Sequence, residues 1–177
     1  MNKNMPDALA HYAVSYLVAS RVTKPKYALF IALIGLLPDI DVLLRVHRWV
    51  THSLIPVALV ASATAVILLH TRRNYLKHLI LATTLYTLHI VLDVFVAPTP
   101  LLWPITNQAY MLQVGIDGII TTNSIDITPQ ANIVVEQADF TPRPTIEGPI
   151  ISPTGLIIAI GVAAVLLAEH LAKTVRR

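Results

Sequence analysis

The chain has 177 residues, of which 55% are hydrophobic and 13% charged, with a mean hydropathy of +0.65. A soluble domain carries about 25% charged residues, so the composition points to an integral membrane protein built as one compact bundle. There is no Cys, which excludes disulfides, thiolate metal sites and Cys nucleophiles, and the net charge of +3 is scattered over several loops without a basic stripe, so no nucleic-acid partner is expected.

Five apolar segments follow in order, at roughly 8–22, 27–44, 53–70, 75–96 and 154–172. A spanning helix needs about 20 apolar residues, so the expected fold is mainly α, a polytopic membrane helix bundle of about five apolar helices. The first segment is short, follows a polar N-terminus, and contains His11 without a small-residue cleavage site, so no cleavable signal is expected. The second is interrupted by Pro38, which disfavours helical geometry at Leu37. This segment is expected to be kinked, or to be a re-entrant half-helix ending just before the aspartates.

If all five segments span, the loops alternate sides and their Lys and Arg residues can be counted. One side receives Arg21, Lys24, Lys26, Arg72, Arg73, Lys77, Lys173, Arg176 and Arg177; the other receives Lys3, Arg45, Arg48 and Arg143. Nine against four predicts a cytoplasmic C-terminus and an extracytoplasmic N-terminus in an integral cell membrane protein.

The stretch 98–153 differs in kind. It is rich in Pro, Thr and Asn, and its alternating runs "YMLQVGI" and "ANIVVEQ", with a turn signal at Asp117-Gly118, predict short β-strands. The division expected is therefore 1–97 for membrane helices carrying the functional residues, 98–153 for a small β-rich extracytoplasmic cap, and 154–177 for a last helix and basic tail.

The unusual polar residues fall at one depth on that topology. His11 lies near the outer end of the first helix, Asp39 and Asp41 near the outer end of the second segment, His47 and His52 in the loop that follows, and His89 and Asp93 in the last turns of the fourth. A charged group in or beside a span is costly unless paired or functional. His89 and Asp93, at i and i+4, share a helix face and can grip one metal ion. Asp39 and Asp41 align on an extended segment, which Pro38 favours; either both bind metal, or one binds while the other orients a histidine. Thr51 and Ser53 are candidate N-caps of the third helix, beside free backbone N–H groups suited to an anionic substrate. Arg48 would add a bidentate clamp, and Trp103 is either an interfacial anchor or a substrate contact. His and carboxylate donors without thiolate suit zinc, in one or two ions, and also manganese or iron.

The sequence "His11 … LLPDID … HRWVTHS … HIVLD … TPLLWP" resembles the YdjM-like family of membrane-bound, metal-dependent hydrolases over roughly residues 8–104. Asp39 and Asp41 stand at its L-P-D-x-D positions; His47, Arg48, Thr51, His52 and Ser53 at H-R-x-x-T-H-S; and His89 and Asp93 at H-x-x-x-D. Trp49 stands where the family often has Gly. The resemblance implies an integral membrane hydrolase with a divalent metal. The order of His and Asp residues is also similar to part of the zinc phospholipase C and nuclease pattern, which implies phosphoester chemistry.

The resulting expectation is a hydrolase at the outer membrane interface, acting on a membrane lipid or other amphiphilic substrate. His11, Asp39, Asp41, His52, His89 and Asp93 would hold the metal; His47, Arg48 and Asp41 would serve catalysis; and Arg48, Thr51, Ser53 and Trp103 would contact substrate. The alternative expectation is a metal-stabilised membrane protein that binds a lipid or protein partner without turnover.

Overall fold

A computed structural model describes residues 7–46, 48–122, 124–144 and 150–175. Helix α1, Ala8–Val22, starts at Asp7, whose carboxylate accepts the N–H of Ala10, a standard way of satisfying an orphan donor of the first turn. It stops at Thr23, two residues before Pro25. Pro25 then opens α2, Pro25–Ile31, at a position where its missing N–H costs nothing. Helix α3 is Leu54–Thr71, α4 is Leu76–Val94 and α5 is Pro153–Val175.

The second apolar segment departs from expectation. The chain does not become extended at Pro38 and the helix does not end there; it continues from α2 as a 3-10 helix over Ala32–Leu44, with Pro38 inside it. Pro25–Leu44 is thus one helical stretch of 20 residues, long and apolar enough to cross a membrane, as are Leu54–Thr71, Arg73–Val94 and Pro153–Val175. Four such helices are present among the described residues, where the sequence suggested about five. Helix α1, with 15 residues, is about 22 Å long against a hydrocarbon core of about 30 Å.

Helix α1 nevertheless runs alongside α5 for most of its length. Near its start the carboxylate of Asp7 accepts the N–H of Ser152 at 2.5 Å, and near its end Arg21 pairs with Glu169. Small residues let the helices approach closely: Ala19 and Ala28 are fully buried with Leu85, and Tyr16, Val18, Ile31, Ile34 and Leu81 pack around them. The outer faces are apolar and open. Helix α3 buries no residue, and Leu59, Val60, Val66 and Ile67 on it are exposed, as lipid-facing side chains should be.

The insertion after α4 is one antiparallel hairpin, β1 (Gln108–Ile120) and β2 (Ile125–Gln137). Both runs singled out by alternation lie in it. The turn does not form at Asp117-Gly118: those residues pair with Thr128 and Ile127 inside the ladder. The reversal comes at Thr121–Ser124, where the N–H of Thr121 donates to the Ser124 carbonyl at 2.9 Å. Asp117 is instead held by the Gln130 amide.

Candidate metal centre

The polar residues that the topology aligned do meet, at the common end of α1, the 3-10 helix, α3 and α4. His11, Asp41, His52, His89 and Asp93 are each at most 2% exposed, while the Asp39 side chain is 27% exposed, so the cluster opens on the Asp39 side. His47 lies outside the described residues.

Two of the imidazoles have a partner at Nδ1 that orients the ring. His89 Nδ1 is 2.6 Å from the Gly35 carbonyl oxygen; a carbonyl only accepts, so Nδ1 carries the proton and Nε2 presents its lone pair. The Gly35 carbonyl is free for this role because of Pro38. In a 3-10 helix the N–H of residue i+3 donates to the carbonyl of residue i, and at i+3 from Gly35 the proline has no N–H. Gly35 also permits the packing: a Cβ there would collide with the Ser15 hydroxyl on α1.

His52 Nδ1 lies 3.0 Å from Asp41 Oδ2. The same oxygen accepts from Thr51 Oγ1 at 2.8 Å and from the backbone N–H of Trp49 at 3.0 Å. Asp39 faces elsewhere, with Oδ1 3.6 Å from His52 Nε2 and 3.4 Å from His89 Nε2. The 3-10 geometry explains the split, since residues i and i+2 are rotated by about 240° at three residues per turn. Of the two arrangements the sequence left open, the geometry is the one with Asp39 inward and Asp41 behind a histidine.

The inward atoms form a compact group. His52 Nε2 and His89 Nε2 are 3.3 Å apart, and Asp93 Oδ2 is 3.3 Å from the first and 4.0 Å from the second. Four ligands at about 2.0–2.2 Å from one ion define a tetrahedron with edges of about 3.3–3.6 Å. Asp39 Oδ1, His52 Nε2 and His89 Nε2 meet that spacing as a set, and His11, His89 and Asp93 form a second group able to hold an ion. His11 stacks on His89 with ring centroids 3.9 Å apart. Its Nε2 is 3.2 Å from Asp93 Oδ1, yet both atoms are buried without hydrogen-bond geometry to a partner among the described residues. A buried imidazole and carboxylate this close are costly in a structural core unless they share a proton or a cation.

Burial opposes charge on His52, but the carboxylates of Asp39, Asp41 and Asp93 outweigh it and push the ring up to about 10. Three carboxylates against His52 and Arg48 leave a surplus of negative charge, and two sets of these donors lie close enough together to hold a metal ion.

Arg48 sits in the left-handed region, with φ 59°, uncommon for a residue with a side chain. This turn brings Arg48 Nε to 2.8 Å from Asp93 Oδ2, while Nη2 is buried without a hydrogen-bond partner among the described residues. The expected N-caps of α3 are not formed by side chains. Ser53 occupies the cap position without a side-chain cap bond, because its hydroxyl donates to the carbonyls of Leu101 and Trp103, and the Thr51 hydroxyl is taken by Asp41. Trp103 packs edge-on against Trp49 and Phe140, at 6.3 and 6.5 Å between centroids. The sequence did not single out Ser15, Gly35 or Phe140; the spacing of Gly35 and Pro38 was the available signal for the second.

A family model described as the YdjM inner membrane protein matches residues 7–171. No curated protein and no solved structure matches the chain.

Proposed function

The chain belongs to the YdjM inner membrane protein family, and on that premise we propose that it is a metal-dependent hydrolase acting at the outer membrane interface on a phosphoester of a lipid or lipid-linked substrate. The observation that carries this reading is the spacing of Asp39 Oδ1, His52 Nε2 and His89 Nε2, at 3.3–3.6 Å. These three would hold the ion, and Asp93 spans the space between them and His11. A divalent ion there would supply Lewis acidity towards a phosphoryl oxygen and towards water. Zinc suits the donor set best, with manganese or iron also compatible.

The chain's own residues do the rest. Asp41 and the Gly35 carbonyl keep both Nε2 lone pairs aimed inward. Arg48 Nη2, buried and without a partner among the described residues, donates to an anionic oxygen of the substrate. Trp103, within the group formed with Trp49 and Phe140, lines the approach for an apolar tail. His47 is the proton donor to the leaving group. Thr51 and Ser53 contribute by holding Asp41 and the 101–103 loop.

One observation favours the alternative, a metal-stabilised protein without turnover. Asp93 Oδ2 is 3.3 Å from His52 Nε2, and a fourth protein ligand there would close the ion to water. The two readings separate on one set of samples: metal content and phospholipid turnover of the wild type and of His89→Ala. The hydrolase reading expects about one or two equivalents of metal, lost in the variant together with turnover. Bound metal without turnover of any lipid favours the closed site. A wild type that takes up no metal overturns both.

A further inference from the structure

The hairpin keeps an alternation that the helices do not need. On one face Leu112, Val114 and Ile116 pair with Ile133, Ala131 and Pro129; on the other Gln113, Gly115 and Asp117 pair with Asn132, Gln130 and Thr128. The side chains of a strand alternate faces, so one face is apolar along nearly its whole length. The carboxylates of Asp117, Asp126 and Glu136 all fall on the opposite face by this register, and no Lys, Arg or His occurs between Gln108 and Gln137.

That apolar face is open among the described residues. Val114, Ile116, Ile127 and Ile133 are 65–74% exposed. An isolated two-stranded hairpin is marginal in water, and an uncovered apolar surface of this extent marks a contact site. Its root is fixed just beyond the end of a membrane-crossing helix. Thr99 and Tyr110 exchange backbone hydrogen bonds at 2.9 Å, and Ala109 is buried there. Between α4 and β1 the chain leaves Leu102 and Ile105 exposed, so the apolar surface runs on from the lipid-facing helices to the hairpin.

We infer that the hairpin lies flat on the bilayer surface, its apolar face against the lipid and its carboxylates in water. Lipid is the occupant present at the root of every copy, and it needs no matching sequence. The outer backbone edges stay at headgroup level, where water satisfies them; they could not enter the hydrocarbon core. With three carboxylates and no cation on the ribbon, binding rests on apolar area and gains nothing from anionic lipid. Pro129 has no N–H to offer a strand added along β2, which disfavours extension of the sheet by a second copy.

The absence of Cys allows a direct test that does not depend on the hydrolase reading. Single cysteines at Ile116→Cys and Ile127→Cys on the apolar face, and at Gln113→Cys and Thr128→Cys on the polar face, carry an environment-sensitive dye. The full chain is placed in phosphatidylcholine nanodiscs with and without nitroxide-labelled lipid. Expected are blue-shifted emission and strong nitroxide quenching at 116 and 127, with water-like, unquenched emission at 113 and 128, and no strengthening on adding anionic lipid. Equal emission and quenching on both faces overturns the inference. Labels at 116 and 127 that are shielded from water and from nitroxide, with energy transfer between labelled copies, overturn it in favour of a dimer contact. Two positions on each face keep the outcome from resting on one substitution.

Discussion

Pro38→Ala would return an N–H to the 3-10 helix at the position facing the Gly35 carbonyl. That carbonyl now serves His89 Nδ1 at 2.6 Å, and a competing donor loosens the ring and its tautomer. Loss of such an orienting partner weakens metal affinity by about 10- to 100-fold. A competitive chelator titration of Pro38→Ala against wild type measures it, and equal affinities would mean that stacking on His11 alone orients the ring. The His52 ring makes a second prediction at this scale. In the metal-free protein its proton is held up to about 10, against about 6.5 when unfolded. That stabilisation is complete below the unfolded value and is lost as the pH rises through the folded one. An ion bound through Nε2 must expel this proton, so apparent affinity should rise about tenfold per pH unit between about pH 6 and 8. Calorimetric titration across that range checks it; a flat profile would mean that His52 is already neutral or lies outside the ligand set. The donor types were legible in the sequence because buried charge in an apolar chain is informative wherever it occurs. The different aims of Asp39 and Asp41 were not, since they depend on a 3-10 backbone that propensity does not announce.

Among the elements, α1 is the least self-sufficient: it is short, and its start leans on Asp7. That carboxylate accepts from Ala10 at 2.5 Å and from Ser152 at 2.5 Å, so it caps one helix while joining another. Asp7→Ala should cost about 1 kcal/mol for the cap and about 1–3 kcal/mol for the buried donor left behind. A lowered thermal midpoint in detergent is the expected readout, with Asp7→Asn largely restoring it because asparagine caps as well as aspartate. An unshifted midpoint in Asp7→Ala would show that the packing of α1 on its neighbours suffices. Helix extents were readable from apolar run length, and the strands from alternation. The hairpin turn was misread because Asp117-Gly118 is a strong local signal that the cross-strand register overrides: a reversal there would break the pairing of Ile119 and Ile120 with Asp126 and Ile125. The contact between Asp7 and Ser152 bridges 145 positions, and no local pattern encodes that.

At the scale of the whole molecule, the alternation of five apolar segments was enough to bring His11, Asp39, His52, His89 and Asp93 to one end, since each lies near a helix end on the same side. What closes that end is the pairing of the first helix with the last. Asp7 meets Ser152 at one extremity and Arg21 meets Glu169 at the other, so the helix bearing His11 is clasped by a segment 145 positions further along the chain. During synthesis, Asp39, His52, His89 and Asp93 are all present before α5 exists. The clasp on α1 is completed only when the chain has grown past Glu169. A chain grown through Asp93 but short of Glu169 therefore carries His11, Asp39, His52, His89 and Asp93 without the contacts that hold α1 against α5.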